Sequence, residues 1–137
     1  MELDEARDYL RQNHRAILAT MRRDGTPQMS PVACAVNSDG DVVVSSRETA
    51  IKTKNVRRDP RAWLCVFPDQ FFGGFVQVEG DVTVVSLPEA MDGLVDYYRT
   101  VAGEHPDWDD YRSAMEKEQR VLIKLRLTRA GPVSDTL

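Results

Sequence analysis

"AILATMRRDGTPQMSPVACAVNSDGDVVVSS", residues 16–46, contains three short apolar runs separated by two turns. Each turn carries an Asp-Gly pair, Asp24-Gly25 in the first and Asp39-Gly40 in the second. Such pairs between apolar runs of strand length are typical of β-hairpins, because glycine accepts the positive φ that tight hairpin turns require. The stretch therefore predicts three antiparallel strands in succession.

The rest of the chain predicts three more strands and four helices. The strands are "RAWLCVF" (61–67), "GFVQVEGDVTVVS" (74–86) and "RVLIKLRLTR" (120–129). The helices are expected at 2–13, from an N-cap near Ser46 to just before Asp59-Pro60, from the capping box Ser86-Leu87-Pro88-Glu89 to Gly103, and at 107–119 with Asp107 as N-cap.

The predicted order is α-βββ-α-ββ-α-α-β. Most strand connections are too short for the crossovers of a parallel doubly wound sheet. A small antiparallel barrel closes its own edges and suits such connections. We therefore expect a mainly β fold with helices (α+β), a six-stranded antiparallel barrel in one domain, residues 1–137.

Composition excludes several classes of protein. The charged fraction of 29% and hydrophobic fraction of 42% argue against disorder, and no apolar run approaches the length of a membrane span. The acidic start "MELDEARDYL" lacks the apolar segment of a secretory signal, so we expect a cytoplasmic protein without a membrane partner. Cys34 and Cys65 are expected to be buried free thiols, and His14 and His105 lack ligand spacing, so no metal site is expected.

A basic segment stands out, because residues 47–61, "RETAIKTKNVRRDPR", hold six cations and two acids in a chain of net charge −4. Three explanations compete: a solvated helix face, a nucleic-acid footprint, and a cradle for a small anion. Nucleic-acid-binding domains are usually basic throughout, whereas the sequence pI is about 5.2, so we expect no nucleic-acid partner. The anion explanation gains from position, since the helix follows a strand ending in Ser45-Ser46 and a helix N-terminus binds phosphate readily.

The sequence contains no arrangement of side chains that would perform a reaction alone. It has no Ser-His-Asp or Cys-His constellation, no Walker loop and no G-x-G-x-x-G. The difficult step of any reaction is therefore expected to belong to a cofactor.

Four segments carry a resemblance to a known family: "AILATMRRDGTPQMSPV" (16–32), "KTKNVRRDPRA" (52–62), "VEGDV" (78–82) and "YRTVAGEHPDWDDYRSAMEKEQRVLIKL" (98–125). In them the chain resembles the flavin/deazaflavin oxidoreductases of the pyridoxamine 5′-phosphate oxidase-like superfamily, which have an FMN-binding-like split β-barrel. Within that superfamily it is most similar to the actinobacterial group that uses coenzyme F420.

The resemblance implies a homodimer with cofactor sites in clefts formed by both subunits. It implies an F420-dependent oxidoreductase that transfers a hydride from reduced F420 to a small conjugated organic acceptor. An FMN-dependent oxidase or reductase of the same fold, and a non-catalytic F420 or flavin carrier, are the alternatives. FMN has a single phosphate, whereas F420 adds a tail of several carboxylates, so cations spread along a groove suit F420 better.

The resemblance also implies positions for the cofactor. The ring is expected over the strand residues Gln28, Ser30, Pro31, Val32, Ser45 and Ser46; the phosphate near Ala50, Ile51, Lys52, Asn55 and Arg57; and Gly74 and Phe75 closing the ring pocket. Relatives often carry an arginine where this chain has Ala50, so one phosphate contact is missing or is supplied by nearby Arg47, Lys54 or Arg57.

Two smaller features have competing explanations. Phe71-Phe72-Gly73-Gly74 predicts either a lid over an apolar substrate or a hairpin turn with buried rings. The segment "HPDWDDYR" resembles an acid cluster, but Asp107 as an N-cap with acids in the first helical turn is a stabilising arrangement, which we favour. Tyr111 and His105 are the candidate proton donors.

Overall fold

The computed structural model describes residues 1–132, which form four helices and seven strands. In chain order these are α1 (Leu3–Gln12), β1 (Arg15–Met21), β2 (Pro27–Ala33), β3 (Ala35–Val36), β4 (Val42–Arg47), α2 (Ile51–Arg58), β5 (Arg61–Phe67), β6 (Val76–Val85), α3 (Met91–Ala102), α4 (Trp108–Lys117) and β7 (Arg120–Gly131).

All strand pairs are antiparallel, in the order β2-β1-β5-β6-β7-β4-β3. The prediction of a mainly β, antiparallel fold with helices is confirmed. The number of strands is seven instead of six, because the predicted second strand changes partner at Cys34. Residues before Cys34 pair with β1, and Ala35 and Val36 pair with β4.

This change of partner curls the sheet. β2 and β3 lie at opposite ends of the strand order, yet only Cys34 separates them in the chain. The sheet must therefore bend until its two edges approach each other. The bent seven-stranded sheet is here named the half-barrel. Its inner side holds the main core, to which β1, β4, β5, β6 and β7 contribute alternate residues such as Leu18, Val44, Leu64, Val78 and Ile123.

Both Asp-Gly turns are confirmed. Gly25 and Gly40 have φ angles of 85° and 81°, and each turn is closed by backbone hydrogen bonds, from Arg22 to Thr26 in the first and from Asn37 to Asp41 in the second. Glycine fits both positions because other residues rarely adopt positive φ.

Two predicted helix starts are wrong. Ser46 does not cap α2, because β4 continues to Arg47 and the helix begins at Ile51 without a side-chain cap. The predicted capping box at Ser86 does not form either, since residues 87–90 make turns and α3 begins at Met91. The third cap is confirmed, because Asp107 accepts a hydrogen bond from the Asp110 N–H at 3.1 Å.

The two ends of the half-barrel carry opposite charge. Helix α1 lies at the end where β1 and β4 begin, with the Arg7 Nε donating to the carbonyl of Gly40. Helix α2 lies at the other end, where the Arg58 guanidinium reaches the carbonyl of Met21. Residues 1–12 hold four acids and two cations, whereas residues 47–61 hold six cations and two acids.

Helices α3 and α4 cover only half of the outside of the sheet. They pack on β3, β4 and β7 through a second apolar cluster that includes Ala35, Val43 and Leu122. The outward side chains of β2, β1, β5 and β6 form a separate surface, here named the outer face. In cross-strand register it contains Pro31, Ile17, Cys65 and Gln77 in one row and Met29, Ala19, Trp63 and Glu79 in the next.

Cysteine burial differs from the prediction at one position. Cys34 is buried, but Cys65 is exposed, because it alternates with Leu64 and Val66 along β5 and so points out on the outer face. Within residues 1–132 no helix is long and apolar enough to cross a membrane, and no group of three or more His, Cys, Asp or Glu side chains is placed to hold a metal ion.

Candidate functional site

Helix α2 is fixed to the sheet by two buried polar side chains. The Thr53 hydroxyl donates to the carbonyl of Arg47 at 2.6 Å and lies 2.8 Å from the hydroxyl of Ser46. On the other side of the helix, Asn55 Nδ2 donates to Thr20 Oγ1 at 3.1 Å. Because Thr53 and Asn55 are 0% and 5% exposed, these bonds hold the helix rigidly across the ends of β4 and β1.

The Asn55 bond continues into the predicted ring-binding strand. Thr20 Oγ1 lies 3.4 Å from Gln28 Oε1, and Arg58 Nη2 donates to Asn55 Oδ1 at 3.2 Å. One chain of polar contacts thus joins Gln28 of β2 to α2. The structure brings these two predicted site residues, Gln28 and Asn55, together through Thr20.

The N-terminus of α2 has the properties of an anion site. It has no side-chain cap, so the N–H groups of its first turn are free of side-chain acceptors. Lys52 lies in this turn, is half-buried, and makes no salt bridge within residues 1–132. Burial and the nearby charge of Arg120 lower the pKa of the Lys52 ammonium. A bound anion would relieve both effects, since it compensates the buried charge.

Arg120 is a site residue that the sequence interpretation missed. It starts β7, opposite Arg47 of β4, and forms a 2.9 Å salt bridge with Glu118. Its place beside Lys52 follows from the pairing of the last strand with β4, which connects residues far apart in the chain. Only a correct strand order would have shown it.

The other cations of the basic segment are largely engaged within the chain. Arg47 pairs with Glu118, Arg57 with Glu48 and Arg61 with Asp59. Lys54 has no salt bridge within the described part of the chain, but it lies two residues after Lys52 and so points to the opposite side of the helix. Arg120 also pairs with Glu118, as Arg47 does, but its charge acts on Lys52.

The predicted ring-binding residues divide between two faces. Gln28, Ser30 and Val32 point inward with Thr20, Leu18 and Ala16, their partners on β1, whereas Pro31 points outward. The Ser30 hydroxyl is buried and has no hydrogen-bond partner among the described residues. The hydroxyl of Tyr9 is likewise buried without a hydrogen-bond partner among the described residues, so this property is not specific to the predicted ring-binding strand.

Ser45 and Ser46 also point in opposite directions, as consecutive strand residues must. Ser46 is buried against Thr53. Ser45 lies on the side of α3, near the hydroxyl of Tyr97, which donates to the carbonyl of Ala33 at 2.9 Å and whose pKa is raised by burial.

Gly74 and Phe75 are not brought to α2 within one chain. They precede Val76, at the end of β6 that lies near the start of β1, whereas α2 contacts the region of Val82. Seven residues of extended strand separate the two regions by about 20 Å. Within one chain, Gly74 and Phe75 therefore do not line the same site as α2.

The candidate proton donors lie in an aromatic cluster between α3 and α4. The hydroxyl of Tyr111 donates to the carbonyl of Leu94 at 2.8 Å, and burial raises the pKa of Tyr111 to about 12. The His105 Nδ1 accepts the Asp107 N–H at 2.9 Å, and its ring packs on Tyr98, Trp108 and Tyr111. These contacts connect the two helices and favour a structural role for both residues.

The exposure of Phe71 and Phe72 differs from the prediction. The predicted hairpin turn forms between antiparallel β5 and β6, but its rings are 74% and 92% exposed, so their predicted burial is wrong. Phe71 packs edge-on against Phe67 and Phe72, with centroids 6.4 and 5.0 Å apart, and both phenylalanines lie in the loop between β5 and β6.

Comparison with known proteins agrees with this architecture. A conserved hypothetical protein from Mycobacterium tuberculosis is 25% identical with a TM-score of 0.77, over 95% of this chain and 82% of that one. An F420 reductase is 24% identical with a TM-score of 0.68, over 90% and 94%. A heme binding protein from Mycobacterium smegmatis is 19% identical with a TM-score of 0.69, over 93% and 52%.

The last two structures establish the fold alone, since proteins with different ligands share it. The family comparison is more specific, because residues 3–134 match the family described as Pyridoxamine 5'-phosphate oxidase, which confirms the resemblance found in the sequence. The chain therefore belongs to the pyridoxamine 5'-phosphate oxidase family, and its curled antiparallel sheet is a split barrel.

Proposed function

We propose that this protein is a coenzyme F420-dependent oxidoreductase of the cytoplasm that reduces a small conjugated organic acceptor. The observation that carries the proposal is the pair Lys52 and Arg120 at the uncapped N-terminus of α2. Two adjacent cations with free helix N–H groups fit a phosphate, the group that F420 and FMN share. The likeness to an F420 reductase supports the choice of cofactor.

In this proposal the chain holds and orients the cofactor, and the bound deazaflavin supplies the hydride. Lys52 and Arg120 bind the phosphate together with the N–H groups of Ile51 and Lys52. Gln28 is held in place through Thr20 and Asn55. Rigid placement of the ring relative to the acceptor is the contribution that the protein makes to the rate.

Three further elements of the proposal rest on the family resemblance. The protein is a homodimer, the ring-binding strand residues are completed by Gly74 and Phe75 of the second subunit, and the partners are a second copy and the small-molecule substrate. The separation of Gly74 and Phe75 from α2 within one chain supports the two-subunit cleft, because one chain alone leaves the predicted set divided.

FMN is the second candidate cofactor, since the internal salt bridges of Arg47, Arg57 and Arg61 leave fewer cations for a long polyanionic tail. The two are distinguished by titrating the protein with FMN and with F420 side by side, with fluorescence as the readout. We expect tighter binding of F420. Tighter binding of FMN would overturn the choice of cofactor and leave the phosphate site intact.

The phosphate assignment has a matched control within the same helix. Lys52→Ala is expected to weaken F420 binding at least about tenfold, because loss of one partner of a desolvated charge pair typically costs about 2 to 5 kcal/mol. Lys54→Ala removes the same charge from the other side of α2 and is expected to change the affinity less than about twofold. Equal effects of the two substitutions would contradict a localised phosphate site.

Catalysis is tested separately from binding. Reduced F420 is mixed with the protein and with a panel of quinones, enones, nitro compounds and tetrapyrroles, and recovery of the oxidised F420 absorbance is followed. Consumption that depends on an acceptor supports the oxidoreductase. Tight F420 binding without turnover of any acceptor would favour the carrier instead.

A further inference from the structure

Four large apolar side chains are exposed among the described residues, two toward the α2 end of the half-barrel and two toward the α1 end. Ile51 starts α2 and is 56% exposed, and Met29 of β2, on the outer face, is 63% exposed. Phe71 and Phe72 lie about 20 Å away, in the loop that follows β5. Exposed aromatic pairs are uncommon on a free surface, since burial of each ring is strongly favourable.

The two ends of the half-barrel are also complementary in charge. The end with Phe71 and Phe72 carries acidic α1 and Asp69, whereas the other end carries the basic segment 47–61. A second copy packed on the outer face could be related by a two-fold axis along the strands or by one across them. The first arrangement would place basic end on basic end, and the second places acidic end on basic end.

We propose that two copies pack through the outer face with their strands in opposite directions, and that Phe71 and Phe72 of one copy form the apolar wall of the acceptor site at α2 of the other. This inference rests on the proposed function for the identity of the site. It adds the residues that contact the acceptor and its class, a flat apolar ring system, because two edge-to-face phenyl rings present a hydrophobic surface with no charge.

The orientation of the two copies is tested by cross-linking, which needs no cofactor. In a Cys65→Ser background, which removes the exposed native thiol, one variant carries Ile51→Cys, next to Lys52, and another, with a different tag, carries Phe72→Cys. After subunit exchange, a short bismaleimide is expected to join the two different chains. Cross-linking of Phe72→Cys chains to each other would show the opposite axis, and no covalent dimer in any mixture would overturn the pairing.

The acceptor wall is tested by binding instead of turnover. A naphthoquinone is titrated into the protein loaded with oxidised F420, which cannot react, and into the unloaded protein. Phe71→Ala with Phe72→Ala is expected to weaken quinone binding about tenfold and to leave F420 binding unchanged. Gln70→Ala, in the same loop, is expected to change neither, and an unaltered quinone affinity in the double variant would overturn the wall.

The two proposals fail in different ways. If wild-type protein binds neither F420 nor FMN, the proposed function is wrong, while the cross-linking pattern and the quinone titration of unloaded protein still decide the arrangement and the wall. If F420 binds and is consumed but the double variant retains its quinone affinity, the proposed function stands and the acceptor wall is wrong.

Discussion

At the scale of single residues, the binding role proposed for Lys52 would come at the expense of stability. Burial and Arg120 lower its pKa, so the unfolded chain holds the Lys52 proton more tightly than the folded chain. Stability should therefore rise with pH as the solution approaches the ordinary lysine value of 10.5, where the unfolded chain also loses this proton. Without a bound anion, the protonated form of Lys52 destabilises the folded protein.

Replacing Lys52 is therefore expected to lower the affinity for anions without lowering the stability of the unloaded protein. Lys52→Gln should leave the melting temperature of the unloaded protein unchanged or higher, while its affinity for inorganic phosphate falls. Differential scanning calorimetry with and without phosphate measures both effects. A large drop in melting temperature in the absence of phosphate would show that Lys52 stabilises the fold, contrary to its environment in the structure.

Tyr111 gives a second residue-scale prediction. Its pKa is raised to about 12, so its contribution to stability is complete below pH 10 and is lost as pH rises toward 12, because the unfolded chain releases the phenol proton first. Tyr111→Phe should lower stability by about 1 kcal/mol near neutral pH, because the carbonyl of Leu94 loses its donor, and should flatten the alkaline slope.

Urea unfolding at several pH values measures this slope. The same variant separates the structural role from a catalytic one. We expect its F420-dependent turnover to stay within about twofold of wild type once stability is matched by temperature. Complete loss of turnover in a folded variant would show that Tyr111 acts as a proton donor, contrary to the structural role favoured above.

At the scale of elements, local patterns predicted the strands well but misplaced two of the four helix starts. The strand predicted at 61–67 has its observed bounds, and both Asp-Gly turns formed, because alternation and turn chemistry are encoded by neighbouring residues. Ser46 has the chemistry of an N-cap, but its hydroxyl is buried beside Thr53 within the sheet. Tertiary packing overrode the local preference there.

Prediction of the site residues is limited in the same way, because local patterns do not show contacts between distant parts of the chain. Lys52, Asn55 and Gln28 could be named from the sequence because the family resemblance marks them, and the structure connects Gln28 to Asn55. Arg120 could not be named, since its approach to Lys52 depends on the pairing of β7 with β4. The change of strand partner at Cys34 was likewise hidden, because "QMSPVACAV" is continuous in its apolar pattern.

Two glycines provide an element-scale prediction with opposite outcomes. A Cβ at Gly80 would lie 2.0 Å from the carbonyl oxygen of Arg126, at the bulge between β6 and β7 where neither backbone can move freely. A Cβ at Gly93 of α3 would lie 2.7 Å from the Leu122 Cδ2, which is the end of a flexible side chain.

Gly80→Ala should therefore destabilise by at least about 3 kcal/mol or prevent folding. Gly93→Ala should stay within about 1 kcal/mol of wild type, because the gain in helix propensity offsets the shift of Leu122. Chemical denaturation of the two variants, with circular dichroism as the signal, makes the comparison. Similar losses in both would mean that the bulge can relax, and that glycine in "VEGDV" is not required by the close approach of β7.

At the scale of the whole molecule, the uneven cover of helices leaves one half of the sheet open to the proposed second copy. Helices α3 and α4 cover the outside of β3, β4 and β7, and the outer face is left with Met29, Trp63 and the exposed Cys65. A split barrel that completes its site in a dimer should lose binding when the pairing is lost, even though every residue of α2 is intact.

Met29→Glu places a charge in the outer face on β2, and Thr100→Glu places the same charge on the exposed surface of α3. We expect Met29→Glu to shift the protein toward monomer in sedimentation velocity and to weaken F420 binding by about tenfold or more, since a buried unpaired carboxylate is costly. Thr100→Glu should sediment and bind as wild type does. If the Met29 variant becomes monomeric but retains full affinity, the cofactor site is complete in one chain, and the two-subunit cleft must be abandoned. If it stays dimeric with normal binding, the copies meet through another surface, because a central Met29 could not accept a carboxylate without penalty.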